Sequence, residues 1–201
     1  MFIVVGLGNP GEEYVDTRHN TGRIILEIMK KNFFKDSDFS DWETDKKLRA
    51  LKSDGKIGKE KVLLLEPDSF MNNSGGSVKS LITSKKKAEE LIVIHDDLDL
   101  PIGRYKITFN RGSGGHKGVE SIIKNIKTEG FLRYRIGISP VTPSGKMKKP
   151  SGEKDVTSLI MGSFREKEME ELKKIGKRLV EATKMVIDEG REKMMSIYNK
   201  N

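Results

Sequence analysis

The 201-residue chain contains no cysteine. That excludes thiol nucleophiles, thiolate zinc sites, iron–sulfur clusters and any disulfide framework together. Long apolar runs are missing too: Phe2-Ile3-Val4-Val5 and Val62-Leu63-Leu64-Leu65 fall far short of the roughly 20 residues that span a bilayer. No basic n-region precedes the first apolar segment, and no arginine-rich, acid-poor stretch opens the chain, so a cytoplasmic protein without a signal peptide is expected. There is no G-x-S-x-G nucleophile elbow and no H-x-x-x-H metal spacing. A hydrolase with this inventory is expected to use a base-activated water and no covalent intermediate.

What is present describes a globular protein with 35% apolar and 34% charged residues. At about 150 residues per domain, one domain covering 1–201 is expected, large enough to bury a core without staples. The net charge is +8, and its placement is uneven. Between Gly103 and Lys154 stand twelve Lys and Arg against three acids, which gives this stretch +9 and leaves the remainder nearly neutral. Such a concentration suits a polyphosphate partner, although a solvated lysine-rich face has the same composition.

Strand and helix signals alternate along the chain. Met1–Val5 reads as a buried strand that ends in Gly6-Leu7-Gly8-Asn9-Pro10-Gly11, and a helix over 21–33 follows with Asn20 or Thr21 as its cap. Residues 34–46 read as polar and irregular, with Trp42 as a loop anchor. Strands at Leu48–Ser53 and Lys61–Leu65 flank a turn at Asp54–Gly58. A helix is expected from Asn73 to Ser84, then strands at Leu91–His95, Arg104–Phe109 and Arg133–Ile138. Val119, Ile122, Ile123 and Ile126 mark a further helix between the last two. A basic loop at 140–154 precedes C-terminal helices at 165–201 that break at Gly190. The expected fold class is α/β, a single domain with a twisted mixed central sheet flanked by helices.

Several constellations carry chemistry. Gly6, Gly8 and Gly11 spell the dinucleotide fingerprint, but Pro10 and the unperiodic residues 12–16 intervene before any helix, and the acid-ended second strand is missing. The three histidines, His19, His95 and His116, all lie at junctions, where open α/β sheets bind ligands. His19 directly precedes a helix N-terminus, which favours a neutral ring usable as a base. A carboxylate on its other nitrogen would fix the tautomer; Asp96, Asp97 and Asp99 all compete for that place. His95, ending an apolar strand, reads as structural. Gly112–Gly118 before a helix is either an anion nest or a flexible loop. Phe70-Met71-Asn72-Asn73 and Asn9 offer neutral amide donors for a carbonyl or an oxyanion, or serve as turn formers.

These segments together resemble a known family. Val4–Gly11 with Tyr14 and Thr17-Arg18-His19-Asn20 is similar to the opening of bacterial-type peptidyl-tRNA hydrolases. Phe70-Met71-Asn72, His95–Pro101, Gly114-Gly115-His116 and Arg133–Ile138 follow in that family's order and spacing. The resemblance covers essentially the whole chain. It implies a monomeric cytoplasmic esterase without metal or cofactor, whose substrate is a tRNA esterified at its 3′ ribose to a peptide. Catalytic roles then fall on His19 as base, Asp96 as its orienting partner and Asn9 beside the ester. Tyr14, Phe70, Asn72, His116, Lys117, Arg135 and Lys106 are implied as substrate or tRNA contacts, with Arg135 gripping the 5′ phosphate. Two departures stand out: Lys117 occupies a position where the family usually has asparagine, and Thr108 one where it has a clamp lysine, leaving Lys106 or Arg104 to substitute. A non-catalytic RNA-binding protein on the same scaffold, similar to a plant splicing factor, is the alternative reading.

Overall fold

A computed structural model describes residues 1–33 and 39–199. Within them the order is β1 (Phe2–Gly6), α1 (Thr21–Phe33), β2 (Glu43–Asp45), β3 (Ala50–Ile57), β4 (Glu60–Pro67), α2 (Gly75–Val78), α3 (Lys85–Ala88) and β5 (Leu91–Pro101). β6 (Tyr105–Phe109), α4 (Lys117–Ile126), β7 (Leu132–Ser139), α5 (Glu153–Met161), α6 (Glu166–Glu189) and α7 (Arg191–Tyr198) complete it. Seven strands make one mixed sheet in the order β2-β3-β4-β1-β5-β7-β6. The inner strands β4, β1, β5 and β7 run parallel, and antiparallel strands flank them.

Both faces of the parallel centre are covered, which is why its strands read as continuous apolar runs. Val4, Leu64, Ile92 and Ile94 point to one face, where Ile25, Leu26 and Met29 of α1 and Leu172, Leu179 and Val186 of α6 pack. Ile3, Val5, Leu65 and Val93 point to the other, against Val78, Val119, Ile122 and Phe131. Glycine lets the start of α1 press onto the sheet: a Cβ on Gly22 would lie 2.3 Å from the Ile94 carbonyl oxygen. That contact sets the distance between the residues before α1 and the end of β5.

The chain departs from its expected elements in a few places. The β3–β4 hairpin turns at Gly58, which has φ +58, and not over Asp54–Gly58. Gly55 stays in the strand because Phe39 packs on it, and Ile57 is buried. The helix expected at Asn73–Ser84 shrinks to α2, since Gly75 and Gly76 propagate a helix poorly and Gly75 is held from outside by the Ser121 hydroxyl, 3.0 Å from its N–H. Neither Asn20 nor Thr21 caps α1, because Arg18–Asn20 form a 3-10 turn that runs into it and both side chains bond elsewhere. Short β2 lies inside the stretch expected to be irregular, of which 34–38 is outside the described residues, as are 200–201. Trp42 packs at the core margin with the Lys30 ammonium 4.5 Å from its ring centre. Helix α5 had no expected counterpart: none of its residues is buried, so it lacks a strong apolar stripe.

Candidate active site

The middle of β5, just past its last pairing with β1 at Ile94, delivers Asp96, and the turn before α1 delivers His19. His19 Nδ1 stands 3.1 and 3.2 Å from the two Asp96 carboxylate oxygens. Of the three acids open to this role, Asp97 instead accepts from Arg135 Nε at 2.5 Å and Asp99 pairs with Lys149. Among the described residues nothing bonds the His19 Nε2, and the ring is 14% exposed. Burial alone pushes the His19 imidazole down, but the charge and hydrogen bond of Asp96 outweigh it and hold the imidazolium above its ordinary value. Asp96 itself is buried, which on its own would raise it; the His116 and His19 rings prevail and keep its carboxyl well below the usual range.

His116 closes the cluster. Its Nε2 lies 2.9 Å from Asp96 Oδ1, while its Nδ1 accepts the N–H groups of Gly118 at 3.2 Å and Val119 at 3.3 Å as the N-cap of α4. Both ring nitrogens are therefore engaged inside the protein. His116, expected as a substrate contact, offers no free ring nitrogen and lies beside Asp96, where it borders the same cavity as His19. His95 packs edge-on to His116, with ring centres 4.7 Å apart, and its Nδ1 bonds the Asp96 carbonyl at 2.7 Å. Burial and the neighbouring His116 push His95 well below the ordinary histidine range.

His19, Asp96 and His116 are also the one group of potential metal ligands close enough to share an ion among the described residues. Their hydrogen bonding does not fit that use. A metal on His116 Nε2 would move the ring's proton to Nδ1, straight at two backbone N–H donors.

Asn9 approaches from the loop after β1. Its side-chain Oδ1 accepts the Met71 N–H at 2.8 Å, which leaves Nδ2 as a free donor among the described residues. Asn20 locks the Asn9 backbone from both sides, accepting its N–H at 2.8 Å and donating to its carbonyl at 2.9 Å. Asn72 is exposed on the same turn as Met71. Phe70 is 58% exposed and meets Tyr14 edge to face, with centres 6.4 Å apart.

A cavity of about 820 Å³ runs from His19 along β7 and β6, where Lys106, Arg133 and Arg135 line it; Lys117 at the start of α4 and the Val156 and Ile160 side of α5 border it. Lys106 lies across the strands from Arg135, and Thr108 across from Arg133. Lys117 is exposed at the rim with its ammonium 3.6 Å from Glu120. Arg104 lies away from this cavity, beside Tyr105 and Pro101. Sequence reasoning missed Asn20, read as a cap, the Met71 N–H, and the buried Arg18–Glu168 pair that ties the His19 turn to α6 at 2.9 Å. No motif marks a backbone donor; the Asn20 role had a faint signal in its place beside the histidine.

A family model described as peptidyl-tRNA hydrolase matches residues 3–201. Among curated proteins, a peptidyl-tRNA hydrolase of a Geobacter species is 38% identical over 199 residues, with 98% of this chain and 97% of the relative covered. One from Thermodesulfovibrio yellowstonii is 34% identical with both chains covered in full. The crystal structure of peptidyl-tRNA hydrolase from Acinetobacter baumannii superposes with a TM-score of 0.84 at 28% identity, covering all of this chain and 95% of that one.

Proposed function

This chain belongs to the peptidyl-tRNA hydrolase family, and from that premise we propose that it splits the ester between a peptide and the 3′ ribose of tRNA with a water activated by His19. The observation that carries the reading is the His19 ring, held through Nδ1 by Asp96 with Nε2 free at the cavity wall. In the productive tautomer Nδ1–H donates to Asp96 and Nε2 is the base. Nε2 takes a proton from water as its oxygen bonds to the ester carbonyl carbon, and the carbonyl electrons move onto oxygen. The Asn9 Nδ2, aimed by the Met71 N–H on its other atom, is the donor for that oxyanion. Collapse breaks the bond to the ribose oxygen, which leaves with the proton from His19. Asp96 stays ionised throughout and stabilises the imidazolium between the two transfers.

Tyr14 and Phe70 form an aromatic wall for the terminal base or a peptide side chain, and Asn72 contacts the peptide backbone. Lys106 and Arg135 grip a phosphate of the tRNA, with Lys117 as a further cation at the rim. Contacts of this kind read charge and shape and carry little sequence information, which suits a substrate set of many tRNAs. The protein works as a monomer in the cytoplasm, where that substrate arises; no helix of the described residues is long and apolar enough to cross a membrane. The test is release of N-acetyl-aminoacyl groups from tRNA by the purified chain and by His19→Ala, with chelator present. The variant is expected to lose turnover and keep tRNA binding. Turnover near the native rate in His19→Ala would refute the base, and tight binding without any release by the native chain would favour an RNA-binding protein.

A further inference from the structure

Asp96 receives two N–H donors, and only one of them belongs to the base. The second, His116, is tied to the fold in an unusual way, because side-chain caps are ordinarily oxygen acceptors of Ser, Thr, Asp or Asn. Here an imidazole takes that place, with Gly118 and Val119 donating to Nδ1. A nitrogen that accepts two backbone N–H groups carries no proton, so the ring's single proton is on Nε2, facing Asp96 Oδ1 at 2.9 Å. The backbone of α4 thus dictates the tautomer of His116, and His116 in turn is an obligate donor to the carboxylate that serves His19.

We propose that His116 is a positioning residue that holds Asp96 by one oxygen and weakens its pull on the His19 proton, keeping His19 available as a base at lower pH than Asp96 alone would allow. This rests on the reading of His19 as the base. The physical reason is that a carboxylate with two donors presents less uncompensated charge to either of them. His116 and His19 are near enough to act through the same group, with ring centres 5.3 Å apart. Other charges around His19 are committed or turned away. The Arg18 guanidinium on its own turn is paired with Glu168, and Asp97 on β5 is paired with Arg135 of β7. Lys117 of α4 leans to Glu120, while Glu153, Lys154 and Asp155 of α5, which packs against this turn, are exposed. The neighbouring His95 spends its Nδ1 on the backbone.

Two substitutions separate the two nitrogens. Asparagine places its amide oxygen near the site of a histidine Nδ1, so His116→Asn keeps the cap and loses the donor to Asp96. Glutamine places its amide nitrogen near the site of Nε2, so His116→Gln keeps the donor and loses the cap. With only three histidines in the chain, NMR of 15N-histidine-labelled protein resolves each ring, its tautomer and its titration without any turnover. The native His116 is expected to show the Nε2–H tautomer. In His116→Asn the His19 midpoint, and with it the acid limb of kcat/KM for N-acetyl-aminoacyl-tRNA, is expected to move up by about 0.5–1 pH unit, since a hydrogen bond to a charged group is partly returned to His19. In His116→Gln the midpoint stays while Tm falls. A His19 midpoint that is unmoved in His116→Asn, or that moves equally in both variants, overturns the proposal. If instead His19→Ala remains active, the base assignment fails whatever the midpoints do, so the two failures are distinguishable.

Discussion

Replacing Asp96 by asparagine tests the centre with the least change in shape. The carboxylate accepts from two rings: Oδ1 lies 2.9 Å from His116 Nε2 and 3.1 Å from His19 Nδ1, and Oδ2 lies 3.2 Å from His19 Nδ1. An amide has one acceptor and one donor end. His116 cannot change tautomer without setting its Nδ1 proton against the N–H groups of Gly118 and Val119, so it keeps its claim on the remaining oxygen. The NH2 group then faces His19 Nδ1. That NH2 opposes a protonated Nδ1 from 3.2 Å while the shared oxygen accepts from 3.1 Å, so the balance shifts toward the tautomer with the proton on Nε2, which has no lone pair for water. Loss of the correct tautomer at a comparable histidine–carboxylate pair costs about 10⁴-fold in rate, which is about 5.5 kcal/mol of barrier.

Single-turnover release from saturating N-acetyl-aminoacyl-tRNA isolates this step from product release. Affinity for tRNA is expected to stay within about twofold, because the cationic wall stands on other side chains. The variant also loses an acid sensitivity. A carboxylate held below its unfolded value in the folded state adds stability above the ordinary carboxylate range and loses it as pH falls through its folded value. Native Tm therefore drops on acidification by an increment that Asp96→Asn lacks. A rate within about tenfold of native for Asp96→Asn would refute the reasoning, since no tautomer defect is that mild.

Arg135→Ala is expected to raise KM and to reduce the slope of log K against log salt by about 1, with kcat little changed, since it removes one phosphate contact; an effect confined to kcat contradicts the grip. Glu66→Gln is expected to stabilise the protein increasingly as pH rises above 4.5. Burial pushes the Glu66 carboxyl up to about 7 from 4.5 despite the nearby Arg23, so ionising it costs the folded state increasingly between those values. Glutamine resembles the protonated form and should gain up to about 3 kcal/mol above pH 7 and nothing near pH 4; urea melts at pH 8 and pH 4 measure both, and an equal gain at the two pH values refutes the assignment.

The parallel centre of the sheet was legible because burial on both faces leaves apolar runs that local reading finds. His19 was legible because a histidine before a helix is a local arrangement. What stayed open was which acid meets it, since Asp96, Asp97 and Asp99 differ only by register, and register is fixed by strands distant in sequence. The hairpin turn was misplaced because Gly55 signals a turn locally, while the reason it remains in a strand is Phe39, sixteen positions away. Nothing in Gly114-Gly115-His116 says that both ring nitrogens of His116 turn inward. The proton positions that decide its role follow from backbone donors that no side-chain pattern encodes.

The register of β5 also explains how one short segment meets two different sets of partners. Successive residues of a strand face opposite sides of the sheet. Ile92, Ile94 and Asp96 share the side on which α1 packs, which brings Asp96 to the histidine that opens that helix. Val93, His95 and Asp97 share the other, where β7 presents Arg133 and Arg135 in step with Val93 and His95. Asp97 therefore meets Arg135, at 2.5 Å, and orients it toward the cavity that continues to Lys106. The pleat turns two adjacent carboxylates apart, one toward the His19 and His116 rings and one toward Arg135, while both border the same cavity. Insertion of a single residue before Asp96 would exchange their faces and disable both tasks at once. Substitution of either acid alone leaves the other's task in place, and this independence is why rate and affinity are expected to respond separately to Asp96→Asn and Arg135→Ala.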